Sequence, residues 1–344
     1  MSIHLVSSGE LHTWDTQLAS NPDGGEFLQM HEFGVIKSQH GWRARHVIAD
    51  DIAFLALERT IHPFGKLWYI PRGPGVITAD QFAEFSHKIE SYARTHGVFM
   101  VKCEPAIERE ALASHTPIAF HRGTDVQPTY STVWVDIRPS LDDLEQSFNS
   151  KTRYNIRQAR KANVRVEEMP ADESTYRAFY ELFTETAADR FVIRPYGYYR
   201  LFWDTYCASG HGAIFFAYED DQLVAADFVI INHHRASRKD AGSTRRKTTR
   251  GIPALLVLET IRALKTRGVT DYDLCGAPES WNVKDQSHPL YGIGTFKTGF
   301  SEHITDYVGT YYLPIRPLRA LIWHRFAEKA IRKLYFMRHH ESWY

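Results

Sequence analysis

The side chains best placed to do chemistry in this sequence are cations set beside glycines or aromatic rings. Lys297 sits in "GIGTFKTGF" (292–300), a single cation between Phe296 and Phe300 among glycines and small hydroxyl residues. Taken alone, that stretch reads as a strand whose lysine pairs with Asp306 or Glu302. Arg72 in "WYIPRGPG" (68–75) follows an apolar strand and lies between a proline and a glycine. Such a stiff turn holds a phosphate or carboxylate bidentately, or uses its guanidinium to brace nearby carbonyls; both readings are open. Arg194 in "RFVIRPYGYYRLFWDTY" (190–206) precedes Pro195 and three tyrosines, Tyr196, Tyr198 and Tyr199, rings that stack a base or sugar or else pack a helix start. In "SKTRYNIRQARKANVRV" (150–166), Arg153, Arg157 and Arg160 share one helical face at i, i+4 and i+7. A second basic run, "HHRASRKDAGSTRRKTTRG" (233–251), carries Arg245 and Arg246. Two such runs are either solvated faces or a path for a phosphate backbone.

Several standard catalytic signatures are missing: there is no Gly-x-Ser-x-Gly elbow, no HExxH and no intact P-loop. Arg250-Gly251 opens an apolar helical stretch, faintly like a pyrophosphate loop, but Pro253 removes one N–H donor and only one glycine is present. Cys103, Cys207 and Cys275 stand far apart without CxxC spacing, which argues against a disulfide framework and against zinc. No metal site is expected, and a reducing cytosol fits the cysteines. The chain is neutral, with 41 basic and 41 acidic residues, so a site for a polyanion has to be local. The first residues lack a signal-peptide pattern and no run of about 18 apolar residues occurs, so a cytoplasmic protein without membrane spans is expected.

The elements that must position these residues repeat at a lag of about 170 residues. "WRARHVIADDIAFLALERT" reads as strand, Asp50-Asp51 turn, strand; "GKLWYIPRG" adds a strand, "ADQFAEFSHKIESYARTHG" an amphipathic helix and "VFMVKCEP" a further strand. The second half echoes this with "AIFFAYEDDQLVAADFVIIN", "IPALLVLETIRALKTRG" and "VTDYDLCG". Both helices close on a glycine, in "RTHGV" and "KTRGV", where a left-handed residue is needed. With 43% hydrophobic and 13% aromatic residues, 344 residues suffice for two cores. The expected class is therefore α/β (α+β), with two copies of one module, residues 1–145 and 146–312, and a C-terminal basic amphipathic helix, 313–344, that packs on the first module or on a membrane surface. The order hairpin, helix, returning strand resembles the core of the GNAT acyltransferase fold.

The stretches "GEFLQMHEFGVIK", "WYIPRGP", "SKTRYNIRQARKANVRV", "ETAADRF", "DYDLCG" and "LYGIGTFKTGF" follow one another in the order and spacing of the Fem peptidoglycan aminoacyltransferases. The chain resembles that family from about residue 25 to about residue 310. The resemblance implies two GNAT-like modules and transfer of an amino acid from aminoacyl-tRNA to the stem peptide of a peptidoglycan precursor, lipid-linked or UDP-linked. It implies no cofactor beyond aminoacyl-tRNA as co-substrate. Under it, Lys37 and Arg194 look like contacts to the precursor's diphosphate, Tyr198 like an adjacent site tyrosine, and Lys297 like the lysine that stabilises the charged intermediate; Arg72 joins the substrate contacts on its turn geometry alone. The basic runs then become tRNA contacts. Where the family has "YxYAGS" this chain reads "RKDAGS", placing Arg238 and Asp240 at tyrosine positions, and Asp240 becomes a speculative base for the acceptor amine. No heptads for a coiled-coil arm are present, as in members that add the first bridge residue.

In "RPLRALIWHRFAEKAIRKLYFMRHH", Leu318, Ile322, Phe326, Ala330 and Leu334 form an i+4 ladder flanked by Arg325, Lys329, Arg332 and Lys333. Residues 315–338 then either lie on an anionic leaflet or dock on a core. Two further function classes stay in play: an N-acyltransferase using aminoacyl-tRNA or acyl-CoA on a small metabolite, and a non-catalytic RNA- or membrane-binding module in which Lys297 is dispensable.

Overall fold

Apolar alternation around an acidic turn builds the same hairpin twice. The computed structural model describes residues 2–113, 118–188, 192–246, 248–339 and 341–344. It divides into two units, Met1–Tyr130 with Tyr307–Tyr344, and Ser131–Asp306. In the first unit, β1 (Ile3–Leu5), β2 (Arg43–Ala49), β3 (Ile52–Ile61) and β4 (Gly65–Ile70) run antiparallel in sequence. Asp50 turns β2 into β3 with φ +53°, a conformation that aspartate tolerates better than most residues. Three helices, α1 (Trp14–Ala19), α2 (His31–Ser38) and α3 (Ala79–Thr95), flank these strands. Helix α3 starts where the Thr78 side chain accepts the Gln81 N–H (3.2 Å), buries Phe82, Phe85 and Ile89, and ends at Gly97 with φ +73°. The chain returns as β5 (Val98–Cys103), parallel to β4 from Lys66↔Val98 to Ile70↔Cys103, and a short β6 (His121–Arg122) follows.

The second unit repeats the plan with longer antiparallel strands and a shorter returning strand. After β7 (Ser131–Thr132) and β8 (Trp134–Asp136) come α4 (Leu141–Ser147) and α5 (Ser150–Lys161). Ser140 caps α4, which ends at Phe148, and the Asn149 side chain accepts the Thr152 N–H (2.8 Å) and starts α5. There follow β9 (Arg165–Met169), α6 (Glu173–Ala187), α7 (Tyr196–Ala208), β10 (Gly212–Glu219), β11 (Gln222–Asn232) and β12 (Arg235–Ser243). Then come α8 (Ile252–Thr266), β13 (Asp271–Asp273), α9 (Tyr291–Lys297) and β14 (Thr305–Asp306). The sheet order is β8-β13-β12-β11-β10-β9, with β14 and β7 paired apart. Helix α8 is buried almost all round: Leu256, Val257, Ile261 and Leu264 have no exposed surface, and each such side chain contributes about 1.5–3 kcal/mol. It packs with α5 on one face of the sheet, while Phe179 of α6 stacks on Trp203 of α7 (4.6 Å) over the other.

The chain then re-enters the first unit. β15 (Tyr311–Pro314) pairs antiparallel with β5, giving the order β1-β2-β3-β4-β5-β15-β6. In the second sheet the same place, antiparallel beside the returning strand, is filled by β8. Each sheet thus takes the strand beside its returning strand from chain that lies outside its own hairpin–helix–strand core. Boundaries drawn in chain order, 1–145, 146–312 and 313–344, give way to this exchange: 131–145 belongs to the second unit and 307–344 to the first. A helical stretch of α10 (Pro317–Ile322), a π turn (Trp323–Ala327) and α11 (Glu328–His339) follows. Its inner side docks on the first unit through Trp323, which lies edge to face with Phe64 (5.7 Å) and Phe99 (5.8 Å). Glu328, buried, pairs with the fully buried Lys102 and accepts the Tyr344 hydroxyl (2.7 Å).

Removing one partner of that pair strands a charge in the core. Glu328→Ala is expected to lower the unfolding free energy by about 3–5 kcal/mol, read as a shift of the urea midpoint.

Candidate active site

Lys297 ends α9, a helix rather than the strand read from its sequence alone, and it is 9% exposed. Gly294 lets this helix approach the preceding loop, since a Cβ there would meet Pro278 Cγ at 2.6 Å. Phe296 and Phe300, one helical turn apart, pack edge to face on each other (5.3 Å), and Phe300 on Phe148 (5.0 Å). The ammonium does not pair with Asp306 or Glu302. Nζ donates to the carbonyls of Cys275 and of Gly276 (2.7 Å to the latter). Those carbonyls are turned inward by two consecutive left-handed residues, Cys275 (φ +55°) and Gly276 (φ +34°). Asp273 fixes the turn by accepting the Cys275 N–H (2.7 Å) and the Thr132 hydroxyl. Burial, assisted by the Arg238 charge, pushes the Lys297 pKa down to about 8, against the pull of Cys275, Asp273 and Asp227.

The turn is free to twist because the parallel pairing of β12 with β13 runs only from Arg235↔Asp271 to Ser237↔Asp273. Just beyond it on β12, Arg238 binds Asp227 of β11 bidentately (Nε–Oδ2 2.7 Å, Nη2–Oδ1 2.5 Å), and its guanidinium lies 5.6 Å from the centre of the Phe296 ring. Alternation would put Arg238 and Asp240 on the same face. A bulge prevents this, for Arg238 pairs Val229 while Asp240 pairs Phe228, leaving Lys239 as the extra residue. Asp240 therefore faces α7, where Oδ2 accepts the Trp203 Nε1–H (3.0 Å) and Oδ1 the Lys239 ammonium (2.9 Å). The structure does not bring it to Lys297, and both its oxygens are engaged, which removes the geometry a base for the same reaction centre would need.

Two other predicted residues do join Asp240. The Arg194 guanidinium lies 4.2 Å from the centre of the Tyr198 ring, Tyr198 stacks on Phe202 (6.1 Å), and Lys239 lies 5.0 Å over Phe202. Burial alone would depress the Lys239 pKa, but Asp240 raises it on balance. Lys37 and Arg72 belong to the first unit. Lys37 is buried at the end of α2, 5.4 Å from the Phe33 ring centre. Arg72, at φ +49°, donates to the Thr129 carbonyl (2.9 Å) over the Tyr130 ring (5.6 Å), and so braces its own turn.

The basic runs are largely engaged within the protein. Arg153 donates to the Gln146 (2.9 Å) and Phe148 carbonyls, and Arg160 pairs with Glu145 (2.9 Å), leaving Arg157 exposed between them. The run 233–251 is mostly not a surface loop, because 235–243 is the interior strand β12. Arg245 binds the end of α6 through Glu185 (N–Oε1 2.6 Å) and the Ala188 carbonyl (3.0 Å); Arg246 is exposed. Lys247 lies outside the described residues, as does 189–191 of the "ETAADRF" stretch. Gly251, before α8, has φ +92°, and a Cβ there would lie 2.1 Å from the Asn155 carbonyl oxygen. The helix start that resembles a pyrophosphate loop is thus packed against the backbone of α5.

Residues 150–283 match the model of the acetyltransferase (GNAT) domain family. The chain aligns with the crystal structure of FemX at a TM-score of 0.79 and 17% identity, covering 94% of this chain and 100% of that one. The fold is that of FemX. It comprises two tandem GNAT-type modules, as the element order predicted, with no coiled-coil arm among the described residues. L-PGS from Bacillus licheniformis is similar at a TM-score of 0.55 and 13% identity over 93% of this chain and 96% of that one. The C-terminal DUF2156 domain of a protein named as a lysylphosphatidylglycerol synthetase, from Agrobacterium fabrum, gives 0.55 and 12% over 96% and 97%. Among curated proteins, no sequence matches this chain. On the FemX-like frame, Lys297 and the Arg238–Asp227 pair mark where the two parallel strands of the GNAT domain part.

Asp227 was not singled out by sequence reasoning. Its signal is a lone carboxylate inside the apolar strand "LVAADFVII" (223–231), which needs a cation across the sheet.

The Lys297 pKa has a thermodynamic consequence. Between about 8 and the ordinary value of 10.5, the unfolded chain holds a proton that the folded one has released. Stability therefore rises with pH across that window, whereas below pH 8 both states are protonated and the term is flat. Subtracting the unfolding free energy of Lys297→Met at each pH should leave this rising slope, and a flat difference would contradict the depressed pKa.

Proposed function

We propose that this chain is an aminoacyltransferase that moves an amino acid from aminoacyl-tRNA to the diamino-acid side chain of a peptidoglycan stem peptide, lipid-linked or UDP-linked. The observation that carries the reading is Lys297: a buried ammonium, held by two carbonyls rather than a carboxylate, at the parting of parallel strands in a FemX-like fold. The acceptor amine attacks the ester carbonyl carbon, a C–N bond forms, and the carbonyl oxygen becomes a tetrahedral oxyanion. Two of the three Lys297 donors rest on Cys275 and Gly276, and the third serves that oxyanion. Collapse breaks the C–O bond to the tRNA, whose oxygen leaves with the amine proton. No enzyme nucleophile is needed, because the ester is already activated and orientation supplies much of the rate. Asp240 stays out of this scheme, its carboxylate held by Trp203 and Lys239 on the other face of the sheet.

Arg194 and Tyr198 would bind the precursor's phosphate and sugar, and exposed Arg157 and Arg246 would meet the tRNA. The packing of Gly251 on Asn155 supports aminoacyl-tRNA over acyl-CoA as donor. The likeness to a lysylphosphatidylglycerol synthetase domain supports one second reading, in which the acceptor is the hydroxyl of a lipid head group.

The test offers labelled aminoacyl-tRNA to lipid-linked pentapeptide, UDP-linked pentapeptide and phosphatidylglycerol in parallel. Label is expected on one of the two pentapeptides, falling about 100- to 1000-fold in Lys297→Met with acceptor binding retained. The wild-type rate should also fall as pH rises through about 8, where the ammonium form is lost. Label on phosphatidylglycerol alone would select the second reading, and label on no acceptor would end both.

A further inference from the structure

We propose that the outward face of the C-terminal helical stretch, residues 317–338, is a docking surface for an anionic lipid leaflet. Of the thirteen large hydrophobic side chains exposed among the described residues, seven fall between Leu318 and Met337. Leu318 (70% exposed), Phe326 (72%) and Leu334 (60%) belong to the i+4 ladder of the sequence, and the structure turns that ladder to solvent. The inward side is instead Ala320, Trp323 and Glu328, all buried. An outward apolar line on a docked helix has no stabilising role in the fold, since its side chains gain nothing from remaining in water.

The charge beside the line identifies the occupant. Six basic residues and one acidic residue lie between 317 and 339 of a chain that is neutral as a whole. The single acid, Glu328, is buried and spent on Lys102. Arg325, Lys329 and Lys333 are exposed, each one residue before a ladder position, so cations run along the edge of the apolar line. Their aliphatic stems lie with the apolar side chains while their heads reach phosphate. A second copy of the chain would set this cationic edge against an identical one, and a nucleic acid would leave the apolar line wet. An anionic bilayer satisfies both. No helix among the described residues is long and apolar enough to cross a membrane, so the stretch lies on the surface, over about 33 Å at 1.5 Å per residue.

This surface is independent of the reading of Lys297, and its test involves no acyl transfer. The full chain is sedimented with phosphatidylcholine vesicles and with vesicles containing phosphatidylglycerol or phosphatidylserine. Binding is expected to both anionic kinds, to weaken with salt, and to be at least 10-fold poorer on phosphatidylcholine alone. Lys329→Glu/Lys333→Glu should reduce it at least 10-fold, and so should Phe326→Ser/Leu334→Ser. Both pairs replace exposed side chains, and the wild-type melting curve is the check that they fold. No sedimentation with anionic vesicles, equal binding to neutral ones, binding to phosphatidylglycerol alone, or full binding by the folded variants overturns the proposal. So does a dimer in solution abolished by Phe326→Ser/Leu334→Ser, which would make the face an interface between copies, or competition of the same face by RNA with no lipid binding.

Discussion

The second unit is organised by the need to compensate charge inside its sheet. Asp227 is fully buried on a central strand, where burial drives its pKa up against the bidentate Arg238 and, more weakly, the nearby Lys297 charge. A carboxylate in such a place is tolerable when each oxygen is hydrogen-bonded to an opposite charge, and the guanidinium supplies one bond to each. Once Arg238 is spent on Asp227, the nearby Lys297 cannot take the same carboxylate by direct contact, and it finds carbonyl oxygens instead. Those oxygens are available because β13 stops at Asp273 while β12 runs on to Ser243. The parted strands, the left-handed turn at Cys275 and Gly276 and the depressed lysine pKa are thus linked consequences of one buried pair.

Much of the scaffold was legible in local signals. The two hairpins, α3 and α8 and their left-handed end glycines, Gly97 and Gly268, are all short-range features, and each lies where periodicity and turn chemistry put it. Pairings between distant segments were not legible. β8 and β15 carry no mark of which sheet they join, so modules drawn in chain order misplace both. The bulge at Lys239 is likewise invisible in "RKDAGS", yet it alone decides that Arg238 and Asp240 face opposite ways. Lys297 was found as a residue but not as a geometry, because glycine-rich "GIGTFKTGF" has no helical periodicity. Its helix is set by what it packs against.

The C-terminal ladder shows how a correct pattern can leave its meaning open. An i+4 apolar line is the usual sign of a face turned to a core. Here, Trp323 and the Lys102–Glu328 pair hold the stretch by its other side, and a π turn sits between the two helical pieces. The buried ion pair and Trp323 thus hold the side of the stretch opposite the ladder, which leaves the ladder outward.

That pair also separates the two modules chemically. Each has a buried lysine near the end of its returning strand, Lys102 within β5 and Lys297 against the turn after β13. In the first unit, β4 and β5 stay paired to Ile70↔Cys103, Glu328 neutralises the ammonium, and Tyr344 covers it. A new anion approaching Lys102 would meet the Glu328 charge as well as the lysine, so the net attraction is small. Lys297 is solvated by carbonyl dipoles, which hold a cation without cancelling its charge. A negative charge developing beside it is met by an ammonium in a site with little water to screen it. Of two modules with a common ancestry of form, only the second has its cation in a state to stabilise an oxyanion.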